Sequence, residues 1–228
     1  MSAAPTYYHL SFEPAVRRIL HPLTIIRVTG GTEAPQRAIR LIREGGLVAY
    51  PTDTVYGLGC HAFDDAAVLR LYEVKRRPRG EALPVLIADP EELPDLVAVI
   101  PDAARRLMAR FWPGALTLVF PKGRHVSSIV TAGGDLLAVR LPDHPIPRSL
   151  IRGAAAPIIG TSANVHGGAS PTVAQHVAFE LGDQVDMILD GGRTRHGRES
   201  TVVDVTADPP RVLRAGAVPA GAVLEALR

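Results

Sequence analysis

The sequence predicts an α/β fold, a single-domain twisted mixed sheet flanked by helices. Apolar runs of strand length alternate with amphipathic segments of helix length along most of the 228 residues, the pattern of a sheet covered by helices. The 21 glycines and 20 prolines are scattered between those runs instead of forming a low-complexity block, so they punctuate many short elements. A chain of this length that is 46% hydrophobic can bury one large core. It shows no internal repeat and no dividing linker.

Each element has its own local signal. A short amphipathic segment at 13–20 precedes a strand at 24–28. Thr32 then starts a helix in which Ala38, Leu41 and Ile42 share a face, and Gly45-Gly46 ends it. The strand LVAY follows and breaks at Pro51 into Thr52, Asp53 and Thr54, passing through Tyr56 to two glycines. Asp64 N-caps a helix carrying Val68, Leu71 and Tyr72, which delivers Lys75 and Arg77 at its C-terminal end. Apolar runs predict strands at 83–88, 115–120, 136–141, 156–160, 187–190, 200–205 and 211–214. Helices fill 102–111, 146–152, 172–181 and 219–227. Residues 1–30 read as an N-terminal arm and first strand, and 31–228 as the main domain, with no second domain after the terminal helix.

Composition excludes some classes. No apolar stretch approaches the roughly 20 residues of a membrane span, and no basic segment followed by an apolar core opens the chain; a cytoplasmic protein is expected. The lone Cys60 cannot close an intrachain disulfide and lacks zinc-site partners. Net charge is +2, and Lys75 and Lys122 are the only lysines beside many arginines. Basic clusters at Lys75-Arg76-Arg77-Arg79, Arg105-Arg106-Arg110 and Arg193-Arg195-Arg198 could each face phosphates. A solvated face is the bland reading, and it is preferred for the second cluster.

Several irregular segments at strand ends carry chemistry. In KRRP, Lys75 and Arg77 can reach one polyphosphate, the arginine as a two-pronged fork and the lysine as a point charge. GTSANVHGGASPT (160–172) brings hydroxyls, an amide and glycines that let backbone N–H groups approach an anion. ESTVVD places Ser200 at a strand start, and LRAG ends the next strand with Arg214. Taken singly, each is matched by a turn or a surface reading. Arg140 is a charge inside the apolar strand LLAVRL, so it needs a partner, from a ligand or from an ion pair.

Taken in order, PTDTVYGLG, KRRP, AVRLPDHP, SAN, GGASPT, STVVD and LRAG resemble the YrdC-type threonylcarbamoyladenylate synthase family over about residues 33–216. Its paired signature, Lys-x-Arg with Ser-x-Asn, is present as Lys75-Arg76-Arg77 and Ser162-Ala163-Asn164. The chain looks like the short, single-domain form, making 31–228 a YrdC-like catalytic domain. The resemblance implies that L-threonine, bicarbonate and ATP, with Mg2+, give threonylcarbamoyl-AMP and pyrophosphate. That product would serve N6-threonylcarbamoyladenosine modification of tRNA position 37, with tRNA and other threonylcarbamoylation proteins as partners. It implies catalytic roles for Lys75, Arg77, Ser162 and Asn164, and threonine contacts from Thr54, Arg140 and Ser200. Nucleotide contacts would come from Lys75, Arg77, Ser162, Asn164, Ser170 and Arg214, with no metal ligand assigned to the protein. Tyr56 is expected as a pocket wall.

The chain also departs from that pattern. Glu81 and Leu86 stand where many relatives have Asn and His, and His166 stands where Ser is common. Two further readings stay open beside the synthase: an RNA-binding protein in tRNA or rRNA maturation on the same fold, and a paralogue making another acyl or carbamoyl adenylate. An aromatic content of 5%, with no stacking platform, favours the enzyme over the RNA binder. Cys60 and His61, adjacent on a strand, point to opposite faces and make a poor nucleophile pair. Asp143-His144 reads as a turn, and Phe111-Trp112 as closing the core at a helix end.

Overall fold

Strand pairing decides where the site forms. A computed structural model describes residues 24–28 and 34–228; the expected segment at 13–20 and the Thr32 helix start lie outside the described residues. The strands divide between two mixed sheets, where sequence alternation suggests one. The first has the order β1 (Ile25–Arg27), β9 (Met187–Asp190), β2 (Val48–Tyr50), β3 (Gly57–Gly59), β8 (Thr161–Ser162). The second runs β11 (Arg211–Arg214), β10 (Thr201–Asp204), β5 (Leu116–Pro121), β6 (Leu136–Arg140), β4 (Val85–Leu86), β7 (Ile158–Ile159).

The run expected as one strand at 156–160 joins the two sheets. Ile158 and Ile159 pair antiparallel with β4, and two residues later Thr161 and Ser162 pair antiparallel with β3. Gly160 makes the crossing, and a Cβ there would lie 2.3 Å from Leu86 Cγ. Only glycine lets the two chains approach this closely. The same device explains β3, which has no strand-forming residue besides Leu58. Cβ atoms on Gly57 and Gly59 would sit 2.8 Å from the buried Tyr50 side chain.

Helices cover both sheets. α1 (Gln36–Arg43) buries Ala38, Ile39 and Ile42 and packs on α5 (Pro145–Ala154). His144 N-caps α5 through Nδ1, which accepts from Ile146 N, so LPDHP is the expected strand-to-helix turn. α2 (Asp65–Lys75) starts at the expected cap, with Asp64 accepting from Ala67 N at 3.1 Å. α3 (Leu93–Leu96) follows a 3₁₀ turn at Pro90–Glu92, neither of which periodicity reveals in so short a span. α4 (Asp102–Phe111) packs on α7 (Ala220–Leu227), and α6 (Ala174–Leu181) covers β9.

The larger core joins Leu58, Leu118 and Phe120 of the two sheets with Leu71 of α2. Full burial of each such side chain contributes about 1.5–3 kcal/mol. A smaller core beneath α1 and α5 holds Ile42, Tyr50 and Leu150. Trp112 packs at the rim of the larger core and donates Nε1–H to Leu116 O. The Arg105-Arg106-Arg110 cluster lies on the exposed face of α4, as the bland reading expects.

Candidate active site

One side of the six-stranded sheet forms a wall. Side chains two apart on a strand share a face, which puts Ala138 with Arg140 on β6 and aligns Val202 of β10 with Ser200 just before it. Together with Thr117 of β5, Leu86 of β4 and Arg214 of β11, they line a cavity of about 380 Å³. The strand order therefore spreads Arg214, Ser200, Thr117, Arg140 and Leu86 across five neighbouring strands. The other wall comes from the five-stranded sheet and the end of α2: Thr54 after β2, Ser162 on β8, then Lys75 and Arg77. Segments more than a hundred residues apart meet here.

Lys75 is not a surface charge. It is 1% exposed and donates from Nζ to Ser162 O at 2.5 Å and Asn164 O at 2.7 Å, clasping the SAN turn. Burial, and next the neighbouring Arg77, push its pKa from 10.5 down to about 8. An ammonium has three donors, so one N–H remains for a ligand. Asn164 Nδ2 donates to Val165 O and Gly168 O, closing the glycine turn, while its buried Oδ1 has no partner among the described residues. Arg76 ends α2 in the left-handed region at φ 50°, which turns the next residue back over the helix end.

Arg140 has the ion-pair partner that its burial requires. Its side chain is 8% exposed and that of Asp53 is 0% exposed, and the two pair at 2.5 Å. NH1 donates to Thr54 Oγ1 at 2.8 Å and Nε to Gly114 O at 2.9 Å. Three of five guanidinium N–H groups are thus used, leaving two. Burial lowers the Arg140 pKa, and Asp53 opposes that shift. Thr54 Oγ1 also shares a 2.9 Å hydrogen bond with Thr52 Oγ1. The ion-pair role of Asp53 was not read from the sequence; a charge in an apolar strand signals that some acid must answer it, but not which.

Ser200 and Arg214 are locked together. Arg214 Nε and NH2 donate to Ser200 O, and NH2 also reaches Ser200 Oγ. Thr117 Oγ1 and Ser200 Oγ lie 2.8 Å apart, which brings an unanticipated hydroxyl into the wall. Gly216 makes this possible, since a Cβ there would lie 2.3 Å from the Ser200 carbonyl carbon. Arg214 NH1 pairs with Glu199 Oε2 at 2.5 Å, and Ser170 Oγ donates to Glu199 Oε1 at 2.5 Å. Of the residues expected to contact threonine or the nucleotide, Ser170 does not line the cavity, whereas Glu199, to which its hydroxyl is bonded, does.

The departures fall at one edge. Arg77 pairs with Glu81 at 3.2 Å and donates to the Glu81 and Ala82 carbonyls. His166 bridges them, with Nδ1 3.4 Å from Arg77 NH1 and Nε2 3.3 Å from Glu81 Oε1. Arginine can only donate, so Nδ1 accepts and Nε2 carries the proton. The negative charge of Glu81 is therefore answered by Arg77. Leu86 supplies an apolar patch of wall beside Arg140.

Other expectations resolve differently. Tyr56 is not a pocket wall: it is fully buried, and its hydroxyl donates to Gly192 O at 2.8 Å, tying down the loop after β9. Burial raises its pKa to about 12. Cys60 is fully buried and desolvation drives its pKa far above the usual thiol range, which removes it as a nucleophile. Arg195 pairs with Asp143, and Arg193 with the Thr172 hydroxyl, away from the cavity. Among the described residues no group of three or more His, Cys, Asp or Glu side chains could hold a metal ion. Among them, too, no helix is long and apolar enough to cross a membrane.

Comparison with known proteins accords with this geometry. The Sua5/YciO/YrdC family model, described as telomere recombination, matches residues 40–216. The chain is 50% identical over 182 residues to the threonylcarbamoyl-AMP synthase of Pyrococcus abyssi, covering 80% of this chain and 54% of that protein. It is 48% identical to the Bacillus subtilis threonylcarbamoyl-AMP synthase, covering 82% and 55%. It superposes with a TM-score of 0.85 on the crystal structure of P. abyssi Sua5 complexed with L-threonine, at 45% identity, covering 89% of this chain and 60% of that one. The chain spans about half the length of these curated relatives. Sequence and fold agree over most of its residues, and the chain belongs to the Sua5/YciO/YrdC family.

Proposed function

We propose that this chain is an L-threonylcarbamoyl-AMP synthase, a nucleotidyltransferase that converts L-threonine, bicarbonate and ATP into threonylcarbamoyl-AMP and pyrophosphate. One observation carries the reading: four cationic side chains and a set of buried hydroxyls, from both sheets and α2, converge on one cavity. The relatives that share most of this sequence bear that activity in their names, and one binds L-threonine.

The chemistry asks for positioning and charge compensation. Threonine's free amine attacks the carbon of bicarbonate, forming the carbamate with loss of water, or that of the carbon dioxide in equilibrium with it, forming the carbamate with loss of a proton. A carbamate oxygen then attacks the α-phosphorus of ATP, and the bond to the bridging oxygen of pyrophosphate breaks. Holding the two anions in line supplies much of the rate, since well-oriented reactants gain up to about 7–11 kcal/mol. The two uncommitted N–H groups of Arg140 suit the threonine carboxylate as a fork, with Thr54 and Ser200 beside it. Lys75, Arg77 and Arg214 suit the phosphates, with Ser162 and Asn164 shaping the turn that faces them.

Magnesium belongs to the nucleotide in this scheme. Among the described residues Glu199 is the sole acidic side chain lining the cavity, and it is taken by Ser170 and Arg214. That donor set does not fit a metal held by the protein. The product would pass to the proteins that place threonylcarbamoyl on tRNA, in a cytoplasmic setting. Purified protein given ATP, threonine and bicarbonate should release pyrophosphate only when threonine is present. Release without threonine would point to a different substrate, and no release with tight, salt-sensitive RNA binding would point to an RNA-binding role.

A further inference from the structure

A negative charge inside a cavity meant for a polyanion needs a reason. Glu199 lies between two of the groups assigned to the nucleotide: Oε1 accepts from Ser170 Oγ at 2.5 Å, and Oε2 pairs with Arg214 NH1 at 2.5 Å. Carboxylate and phosphate present the same feature to such donors, two anionic oxygens side by side. Arg214 does not depend on Glu199 for its place, because its Nε and NH2 are anchored on Ser200. Ser170 itself does not line the cavity, and its hydroxyl is engaged by the Glu199 carboxylate, which does.

The buried arginine of the opposite end of the site gives the contrast. Arg140 is paired with Asp53 in full burial, where separating the charges is expensive. The Glu199 and Arg214 side chains are 35% and 48% exposed, so that contact opens at little cost. We propose that Glu199 is a built-in placeholder for a nucleotide phosphate. It satisfies Ser170 and Arg214 before ATP binds, and it swings away when ATP arrives, freeing the Ser170 hydroxyl. The device sets nucleotide affinity by competition and keeps Arg214 from capturing stray anions. It rests on the assignment of this cavity to ATP.

Titration calorimetry of ATP in EDTA, and again with magnesium, with the wild-type chain, Glu199→Gln and Glu199→Ala, tests it. Both substitutions remove the competing charge, so ATP should bind about tenfold more tightly, the share of a close charge–charge contact that survives solvent exposure. Circular dichroism melts verify that each variant is folded. Equal or weaker binding by both folded variants, with the wild type binding ATP, overturns the placeholder and leaves the synthase reading standing. Weaker binding confined to ATP with magnesium would make Glu199 a metal ligand and likewise overturns it. If no form of the chain binds ATP, the nucleotide assignment and the placeholder fall together.

Discussion

Replacing Lys75 by Met keeps an unbranched apolar stem of nearly the same length and removes the charge and donors, so the variant isolates what a buried ammonium does. Lys75 carries two bonds to the carbonyls of Ser162 and Asn164. Orphaning each carbonyl costs about 1–3 kcal/mol, partly offset by relief of the desolvated charge. The cleaner signal is its pH dependence. Lys75 titrates near 8 in the folded chain and near 10.5 when exposed. Below pH 8 both states hold the proton. Between the two values the unfolded chain binds more protons than the folded one, so stability rises with pH. The rise should be about 2.5 kcal/mol between pH 7 and pH 10, from 1.36 kcal/mol per pH decade. The raised pKa values of Cys60, Tyr50, Tyr56 and Tyr72 act in the opposite sense at high pH, but they are common to wild type and variant and cancel in the difference. Urea denaturation of both proteins at pH 7, 8, 9 and 10 measures it. The wild type should gain on Lys75→Met steadily across that range. A flat or narrowing gap would show that Lys75 has an ordinary environment and would refute its clasping of the SAN turn.

Three other substitutions probe the walls. Asp53→Asn leaves the Arg140 charge buried without a counter-charge and should cost about 3 kcal/mol, read as a fall in urea midpoint together with a raised threonine KM. Thr54→Val removes the hydroxyl that accepts from Arg140; the threonine KM should rise several-fold more than the ATP KM, and equal rises would count against its placement at the amino-acid end. Gly216→Ala forces the Ser200 carbonyl away from a Cβ that would otherwise approach to 2.3 Å; pyrophosphate release should fall at least tenfold with the fold retained, and unchanged turnover would mean that the Ser200–Arg214 lock is dispensable.

The helix α2 was legible because its N-cap, apolar face and cationic end are all local signals. So were α4, α5 and most strands of the six-stranded sheet, where Val, Ile and Leu run between breakers. β3 was not: its glycines have no strand propensity, and they are required by the Tyr50 ring on the neighbouring strand. The division into two sheets hinges on Gly160, whose meaning depends on Leu86, far away in the chain. At the site, the residues carried by ordered motifs converge on one cavity, apart from Ser170. Tyr56 was assigned to the wrong surface because an aromatic in a motif reads equally as wall or anchor. Asp53, Thr117 and Glu199 were missed for a shared reason: each acts through a partner distant in sequence or is hidden beside a better-known neighbour.

The most direct measurement supplies the purified chain with ATP, L-threonine and ¹³C-labelled bicarbonate and identifies the adenylate formed by mass spectrometry. The account predicts threonylcarbamoyl-AMP carrying one ¹³C, formed in step with pyrophosphate. An adenylate without the label, or none despite bound ATP and threonine, would contradict it.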